Sequence, residues 1–211
     1  MKFNIRLEQC KRTDPRYKEI RDRHYIPNHG CIGQQIHYLV FLEDEVVGII
    51  SGASAVYAVK ARDDYFGLNK DNKRPGLNSI INNVVFRLEK NIKNLGSQIL
   101  ALWRRTIARD WEAKYGVKVH GFETFIIGNE RRFGSLYLSD NWSFVGMTSG
   151  STKTHKGLAN KGGRIETCQK MVFCKKIPKT KLCTEYHSTW NKQLKGQVTN
   201  VLSSKDNNIV A

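Results

Sequence analysis

One long amphipathic helix is the feature that most constrains how this chain can fold. Bulky apolar side chains recur there at four-residue spacing, while basic side chains take the other side. The apolar positions are Ile99, Trp103, Ile107 and Trp111, and the basic ones are Arg104, Arg105, Arg109 and Lys114. Gly116 is well placed to end the helix, because glycine readily adopts the left-handed conformation found at helix C-termini. The pattern therefore predicts a helix over Leu95–Tyr115.

The segments around this helix alternate between strand and helix patterns. The predicted elements are a strand at Lys2–Gln9, a helix from Asp14 to Arg23, a hairpin of Ile36–Leu42 and Val46–Ser54, a central strand at Asn82–Leu88, the long helix, a strand at Val117–Ile127, a short helix or turn at Glu130–Leu138, and strands at Trp142–Met147 and Arg164–Lys176. This order predicts an α/β (α+β) fold in which helices flank a mixed, largely antiparallel central sheet.

The length of the chain, 211 residues, suits one domain with additions. We predict a single domain over residues 1–177. Residues 60–79 are polar and charged, with Gly67, Pro75 and Gly76, and predict an excursion over the surface. Residues 178–211 are polar and predict a C-terminal extension.

The charge balance narrows the choice of partner. Lys and Arg number 35 against 19 Asp and Glu, a formal net charge of +16. Like charges repel in a compact state, so this excess is best explained by a polyanion that supplies the counter-charge. We expect a nucleic acid, with DNA favoured. A protein that is merely basic is the alternative, and a membrane-surface protein is disfavoured because the sequence shows no amphipathic anchor.

Other classes of protein and site are disfavoured by what the sequence lacks. Its apolar runs have strand length and its N-terminus has no signal-peptide pattern, so we expect a cytoplasmic protein with reduced thiols that is not in a membrane. The cysteines are Cys10, Cys31, Cys168, Cys174 and Cys183. A zinc site using three of them with His187 is conceivable, but the spacing matches no familiar ligand pattern, and we predict no metal.

The loop before the long helix is the first candidate site. A helix N-terminus offers free backbone N–H groups and partial positive charge, both of which suit a phosphate. The candidate ligand-binding residues are Lys93, Asn94, Gly96, Ser97 and Gln98. The loop has too few glycines for a Walker loop or a dinucleotide fingerprint. Taken alone, it is better explained as an ordinary structural helix start.

Three side chains are candidates for proton transfer. Tyr137 lies one turn before Asn141 and could donate a proton to a leaving thiolate. Glu123 stands in an apolar strand, where burial would raise its pKa and suit it to act as a base. His24, at the abrupt end of the first helix, is a weaker candidate. The alternatives are a core residue for Tyr137, a paired or solvent-facing carboxylate for Glu123, and a satisfied polar residue for His24.

Basic residues are concentrated after residue 150, in a loop and hairpin with little acidic opposition. Such a one-sided run suits contacts with a phosphate backbone. The candidate nucleic-acid-binding residues are Arg62, Arg131, Arg132, Lys153, His155, Lys156, Lys161 and Arg164. A solvated charged surface is the alternative.

An ordered set of residues then points to known families. The set is His24-Tyr25, Asn82-Asn83, Asn94-Leu95, Ser97, Ile99-Leu100, Asp110-Trp111, Tyr115-Gly116, Glu123-Thr124-Phe125, Arg132-Phe133-Gly134, Tyr137, Asn141-Trp142, Val145-Gly146, Thr148 and Gly150. Over about residues 20–155 the chain resembles the DruA-type domain of Druantia anti-phage systems. It is also similar to Mom-like phage proteins, which modify adenine in DNA and resemble GNAT acyltransferases.

The resemblance implies a GNAT-like fold with the pyrophosphate of an acyl donor, such as acetyl-CoA, at the loop Lys93–Gln98 and Asn141 near the donor. It implies Tyr137 as the acid toward the coenzyme thiolate and Glu123 as base or substrate-orienting group. The loop departs from the family pattern by having a single glycine, Gly96, so the donor could differ from coenzyme A. The implied function is a transferase that adds an acyl-derived group to a base in DNA, adenine being favoured. The alternatives are a non-catalytic DNA-binding component of a phage defence or anti-defence system, and a GNAT enzyme acting on a protein or small molecule.

Overall fold

The structure is a computed structural model that describes residues 3–26, 33–129, 132–153, 164–166 and 168–184. The strands are β1 (Ile5–Cys10), β2 (Gln35–Leu42), β3 (Glu45–Ser54), β4 (Ile80–Leu88), β5 (Gly121–Ile126), β6 (Ser143–Met147), β7 (Ser151–Lys153), β8 (Arg164–Glu166) and β9 (Met171–Lys176). The helices are α1 (Pro15–Asp22), α2 (Lys60–Phe66), α3 (Lys73–Asn78), α4 (Leu95–Tyr115) and α5 (Ser135–Ser139).

Seven strands form one sheet in the order β1-β2-β3-β4-β5-β9-β6, and β7 and β8 form a separate pair. Strands β4 and β5 run parallel, whereas every other neighbouring pair in the large sheet is antiparallel. The predicted mixed, largely antiparallel sheet with flanking helices is thus confirmed. The predicted strand Arg164–Lys176 is divided into β8 and β9, which belong to different sheets.

Helix α4 begins at Leu95 and ends at Tyr115, as the sequence predicts, and Gly116 follows it with a φ of 69°. Its apolar side is fully buried against one face of the sheet, where it meets Tyr38 and Val40 of β2. The alternate residues of the same strand, Leu39 and Phe41, pack with α1 on the opposite face. The two faces of the sheet therefore carry different helices, and the period of two along β2 assigns each side chain to one of them.

Residues 60–79 do not form the predicted surface excursion. They fold into α2 and α3, which pack on the same face of the sheet as α1. Phe66 and Leu77 are buried there with Ile80. The sequence prediction is wrong because charged residues surround these few apolar side chains and hide the helical spacing of the buried ones.

The first described residues beyond 177 also contact the domain. The Ile177 backbone N–H donates to the His120 carbonyl, and the Cys183 N–H donates to Ser79 Oγ. The division into a domain and an extension at residue 177 stays a prediction. Within the described part of the chain, no helix is both long and apolar enough to cross a membrane.

A buried polar cluster links α1 to the sheet. Tyr17 Oη lies 2.8 Å from Ser51 Oγ, and His37 Nδ1 lies 3.1 Å and 3.0 Å from these two oxygens. Burial lowers the pKa of His37 from 6.5 to about 4, and the nearby charges of Arg12 and Lys114 add to this effect. His37 is therefore neutral in the folded protein at neutral pH.

This cluster makes the protein sensitive to acid. The unfolded chain takes up a proton on His37 near pH 6.5, whereas the folded chain does so only near pH 4. The contribution of His37 to the free energy of unfolding is therefore complete above pH 6.5 and is lost as the pH falls from 6.5 to 4. We expect protonation of His37 to lower the free energy of unfolding by roughly 3 kcal/mol at pH 4. Urea unfolding across this pH range measures it. His37→Gln should reduce the slope, part of which remains because burial lowers the pKa of His24 to about 4 as well. An unchanged slope in that variant would contradict the assignment.

Candidate functional site

The parallel strands β4 and β5 separate partway along their length. They pair at three positions only, Ile80 with Gly121, Ile81 with Phe122 and Asn82 with Glu123. Beyond these positions β4 continues to Leu88 and β5 to Ile126 without pairing with each other. The pairing of β4 with β3 also shifts between Asn83 and Val85, which leaves Val84 as the extra residue of a bulge. The sheet is thus open between these two strands.

A cavity of about 240 Å³, here called the inner cavity, occupies this opening. Its lining comes from both faces of the sheet, because His24–Ile26 follow α1 whereas Ser135–Tyr137 belong to α5 on the α4 face. The two separated strands supply Asn83, Val84, Phe86, Thr124, Phe125 and Ile126. The opening therefore joins the two faces at the carboxyl ends of the parallel strands, where α/β sheets bind ligands.

A second hollow of about 560 Å³, here called the helix-end groove, lies at the N-terminus of α4. Ser135 and Leu136 line both hollows, so the groove and the inner cavity adjoin each other. The first hydrogen bond within α4 is donated by Gln98 to Asn94, at 3.3 Å. The N–H groups of Gly96 and Ser97 precede it and have no acceptor within the helix. Groove and helix end together suit an anionic ligand.

The predicted ligand-binding residues of this loop divide in two. Lys93, Asn94, Gly96 and Ser97 line the helix-end groove, together with Lys90. Gln98 does not, because its Oε1 accepts a hydrogen bond from the Phe3 N–H at 3.2 Å. Gly96 makes room for α5 itself, since a Cβ there would lie 2.9 Å from Leu136 Cδ1. The single glycine of the loop thus serves packing between α4 and α5.

Asn141, the remaining predicted donor-binding residue, lies beyond the far end of α5. Its φ of 56° is left-handed, and its carbonyl accepts a hydrogen bond from Lys175 Nζ at 3.1 Å. It lines neither hollow. The structure therefore places Asn141 in the turn between α5 and β6, and its role in donor binding stays a prediction.

Tyr137 is buried on the side of the inner cavity, and its hydrogen bond runs to Asn83. The Asn83 amide nitrogen donates to the carbonyls of Ser51 at 3.0 Å and Val85 at 3.3 Å, which fixes the orientation of the amide. The Asn83 oxygen then accepts from the Tyr137 hydroxyl at 2.8 Å. Burial raises the pKa of this phenol. The Tyr137 hydroxyl thus donates to Asn83 in this structure, and its role as the acid toward a thiolate stays a prediction.

His24 lies on the opposite side of the inner cavity. The Ile26 N–H donates to its Nδ1 at 3.1 Å. Burial lowers the pKa of His24 to about 4, and the charges of Arg21, Arg87 and Arg132 reinforce the effect. The imidazole is therefore neutral at pH 7. Its Nδ1 accepts from the Ile26 N–H at 3.1 Å and lies 3.4 Å from the Ile26 carbonyl, and the shorter contact favours the tautomer that carries the proton on Nε2. In this form His24 offers an N–H donor.

Glu123 is fully buried on the face of the sheet that carries α2, and it is not open to a substrate. Its carboxylate accepts hydrogen bonds from the Arg62 guanidinium and from the Val56 N–H, the latter at 2.9 Å. Burial raises the pKa of Glu123, and the Arg62 charge opposes that shift. The predicted role of Glu123 as a base is corrected: the carboxylate is one half of a core ion pair.

Arg62 is likewise not a nucleic-acid contact, because its side chain is wholly buried. Besides Glu123 it contacts Asp63, with Nε 2.7 Å from the carboxylate, and Asp63 in turn binds Lys73 at 2.6 Å. Helix α2 places Arg62 over the sheet, which a surface excursion would not have done. The basic residue was misassigned because its ion partner lies 61 positions away in sequence.

The other predicted nucleic-acid contacts have different outcomes. Arg132 lines the inner cavity with its guanidinium 4.3 Å from the centroid of the Tyr25 ring. Lys153 and Arg164 are opposite each other in the β7–β8 pair, and their side chains lie outside the described part. Arg131, His155, Lys156 and Lys161 lie outside the described residues. Among the residues of this set whose side chains the structure describes, only Arg132 lines one of the two hollows.

Sequence reasoning missed the polar residues on the strands that open. Asn83 is the centre of the network, and Thr124 Oγ1 on β5 donates to the Asn83 carbonyl at 3.0 Å. Neither was singled out for chemistry. Two adjacent asparagines in an otherwise apolar, central strand were the available signal, since a buried amide needs partners. Asn82, the first of them, has a buried Oδ1 without a hydrogen-bond donor in the described structure.

Comparison with known proteins identifies the family of this chain and the fold that it shares. The sequence matches the family model described as Druantia protein DruA over residues 3–174. No curated protein matches it. A Bacillus subtilis acetyltransferase solved in complex with CoA has 10% identity and a TM-score of 0.51, covering 82% of this chain and 99% of that chain. The N-acetyltransferase PseH of Campylobacter jejuni has 9% identity and a TM-score of 0.46, covering 82% and 97%. The likeness to the first of these confirms the predicted GNAT-like fold.

Proposed function

The chain belongs to the DruA family, and from this premise and its GNAT-like fold we propose that it is an acyltransferase that uses an acetyl-CoA-type donor and modifies a base in DNA. The observation that carries the proposal is the adjoining pair of hollows. One lies at a helix N-terminus, and the other lies between two separated parallel strands. The Bacillus subtilis acetyltransferase that shares this fold was solved in complex with CoA.

The residues present fit such a donor. Lys93 adds positive charge beside the free N–H groups of Gly96 and Ser97, a combination that suits a pyrophosphate, whereas Lys90 is ion-paired with Glu45. The bulge at Val84 leaves backbone groups of β4 unpaired at the inner cavity, and these suit an extended amide-bearing chain. A thioester donor supplies an activated acyl carbonyl with a thiol as the leaving group.

The side chains of the inner cavity orient the reactants. His24 presents its Nε2–H, a neutral donor suited to an oxygen that gains negative charge. Tyr137 donates its proton to Asn83, and the Thr124 hydroxyl lies beside its oxygen. The apolar side chains of Phe86 and Ile126 line the cavity beside them and limit access of water.

DNA as the acceptor rests on the charge of the whole chain. A net charge of +16 favours a polyanion, and the basic run after residue 150 continues the imbalance. With DNA as the acceptor, we expect the affinity for DNA to fall steeply as the salt concentration rises. An enzyme acting on a small molecule would show little dependence on salt.

We expect purified protein with acetyl-CoA to yield an acylated deoxynucleoside in DNA, detected by mass spectrometry of digested DNA. His24→Phe should lower the yield by about 10²-fold, because it removes the donor at the reacting oxygen. His120→Phe is the matched control, since this half-buried histidine contacts Thr180 and lines neither hollow. Equal yields from the two variants contradict the role of His24.

Donor binding is measured separately, by calorimetry with CoA. Lys93→Glu should weaken CoA roughly tenfold through loss of a charged contact, whereas the exposed Lys114→Glu on α4 should not. DNA binding without CoA binding, and without a new nucleoside, would support the non-catalytic DNA-binding component instead.

A further inference from the structure

The inner cavity is larger than an acetyl group requires. Its volume is about 240 Å³, whereas a group the size of a water molecule takes roughly 30 Å³. An acetyl group would therefore fill only part of it. The cavity adjoins the helix-end groove through Ser135 and Leu136. A ligand whose pyrophosphate lies in the groove thus has room for a longer acyl chain in the inner cavity.

Arg132 brings a positive charge to this cavity. Among the described residues of the lining it carries the only charge, since His24 is neutral. Its Cζ lies 4.3 Å from the centroid of the Tyr25 ring, and within the described part of the chain no carboxylate is paired with it. A guanidinium that is held on an aromatic ring and has no acidic partner is well placed to bind a carboxylate.

The surroundings of Arg132 favour an anion as its partner. The His24 ring lies beside that of Tyr25, with centroids 4.7 Å apart. Burial lowers the pKa of His24, and the charges of three arginines, Arg132 among them, reinforce the shift. The apolar part of the lining consists of Val84, Phe86, Phe125, Ile126 and Leu136. A chain that is apolar along its length and anionic at its end matches both parts of the cavity.

We propose that the inner cavity binds a dicarboxylic acyl group, of the succinyl kind, whose free carboxylate is held by Arg132. The inference rests on the proposed function for the use of a CoA donor, and it adds the chemical class of the acyl group. Arg132 acts as a specificity-determining residue, because a charge-assisted, bidentate contact stabilises only a donor that brings a carboxylate. A neutral chain of the same length leaves the guanidinium without a partner.

The test is a calorimetric titration of the full chain with two thioether analogues of CoA, which cannot transfer an acyl group. Carboxypropyl-CoA and carbamoylpropyl-CoA have chains of the same length and differ only in ending in a carboxylate or an amide. The carboxylate should bind roughly fivefold more tightly, a modest ratio because Arg132 is exposed to solvent. This preference should shrink as the salt concentration rises.

Three variants identify the residue that causes the preference. Arg132→Gln should abolish it and leave the affinity for carbamoylpropyl-CoA unchanged. Arg132→Lys should retain part of it, because the charge remains but the planar fork is lost. Arg105→Gln replaces an exposed arginine of α4 that does not line the cavity, and it should retain all of it. Each preference is a ratio of two affinities on one variant, so a general loss of folded protein cancels.

Two results overturn the proposal: equal affinities of the two analogues for the unmodified protein, or a carboxylate preference that survives Arg132→Gln. Equal affinities together with weaker DNA binding by Arg132→Gln would make Arg132 a nucleic-acid contact instead. If CoA binds and the two analogues bind equally, this inference fails and the proposed CoA donor stands. If neither CoA nor the analogues bind, the proposed donor is refuted and the inference fails with it.

Discussion

Replacing Glu123 by alanine is expected to destabilise the protein by about 3–5 kcal/mol, because it leaves the Arg62 guanidinium buried without its main counter-charge. Both side chains are fully buried, so neither charge can be solvated in the folded state. The Val56 N–H loses its acceptor as well. Denaturant unfolding measures the loss as a shift of the midpoint.

The exposed pair Lys60–Asp64 on the same helix is the matched control. Its side chains are 87% and 62% exposed, so Lys60→Ala should cost less than about 1 kcal/mol. The double variant Arg62→Met with Glu123→Leu removes both charges and should recover much of the stability. If Glu123→Gln instead abolishes acyl transfer at unchanged stability, Glu123 acts in catalysis and is more than one half of a core ion pair.

Replacing Gly134 by alanine is expected to cost about 3 kcal/mol or more, from backbone strain and a steric clash together. Gly134 precedes α5 with a φ of 85°, and a Cβ there would lie 2.2 Å from Phe173 Cζ. Phe173 is buried among Tyr137 and Phe144 and has little room to move. Helix α5 must shift, and with it Ser135 and Leu136, which line both hollows.

Gly67→Ala separates the two causes. Gly67 has a φ of 72°, but no atom lies within 4 Å of the position of a Cβ. The substitution Gly67→Ala should therefore lower stability by only about 1–2 kcal/mol, because backbone strain is its sole cost. Thermal unfolding of both variants and CoA titration of the folded protein measure the difference. Equal destabilisation of the two would contradict the clash, and unchanged CoA affinity in Gly134→Ala would contradict the placement of the donor beside α5.

The parts of the fold that were predictable are those encoded by nearby residues. The bounds of α4 follow from four-residue spacing and a terminal glycine, and the hairpin β2–β3 follows from two apolar runs around Glu43-Asp44. The site was harder to predict. The groove residues Lys93 to Ser97 were identified, because a helix N-terminus is a local feature. Gln98 and Asn141 line neither hollow, and their roles in donor binding stay predictions. The Phe3 N–H that binds the Gln98 side chain is distant in sequence, so no local pattern reveals it.

The sequence by itself determined the long helix, the class of the sheet and the strong positive charge, since each depends on side-chain period or composition alone. Only the tertiary structure decided what the polar residues do. Arg62 and Glu123 become a core ion pair because α2 docks on the sheet. Tyr137 becomes a hydrogen-bond donor to Asn83 because β4 and β5 separate beside α5. Burial and hydrogen-bond direction arise from residues brought together across the chain, and no local pattern encodes them.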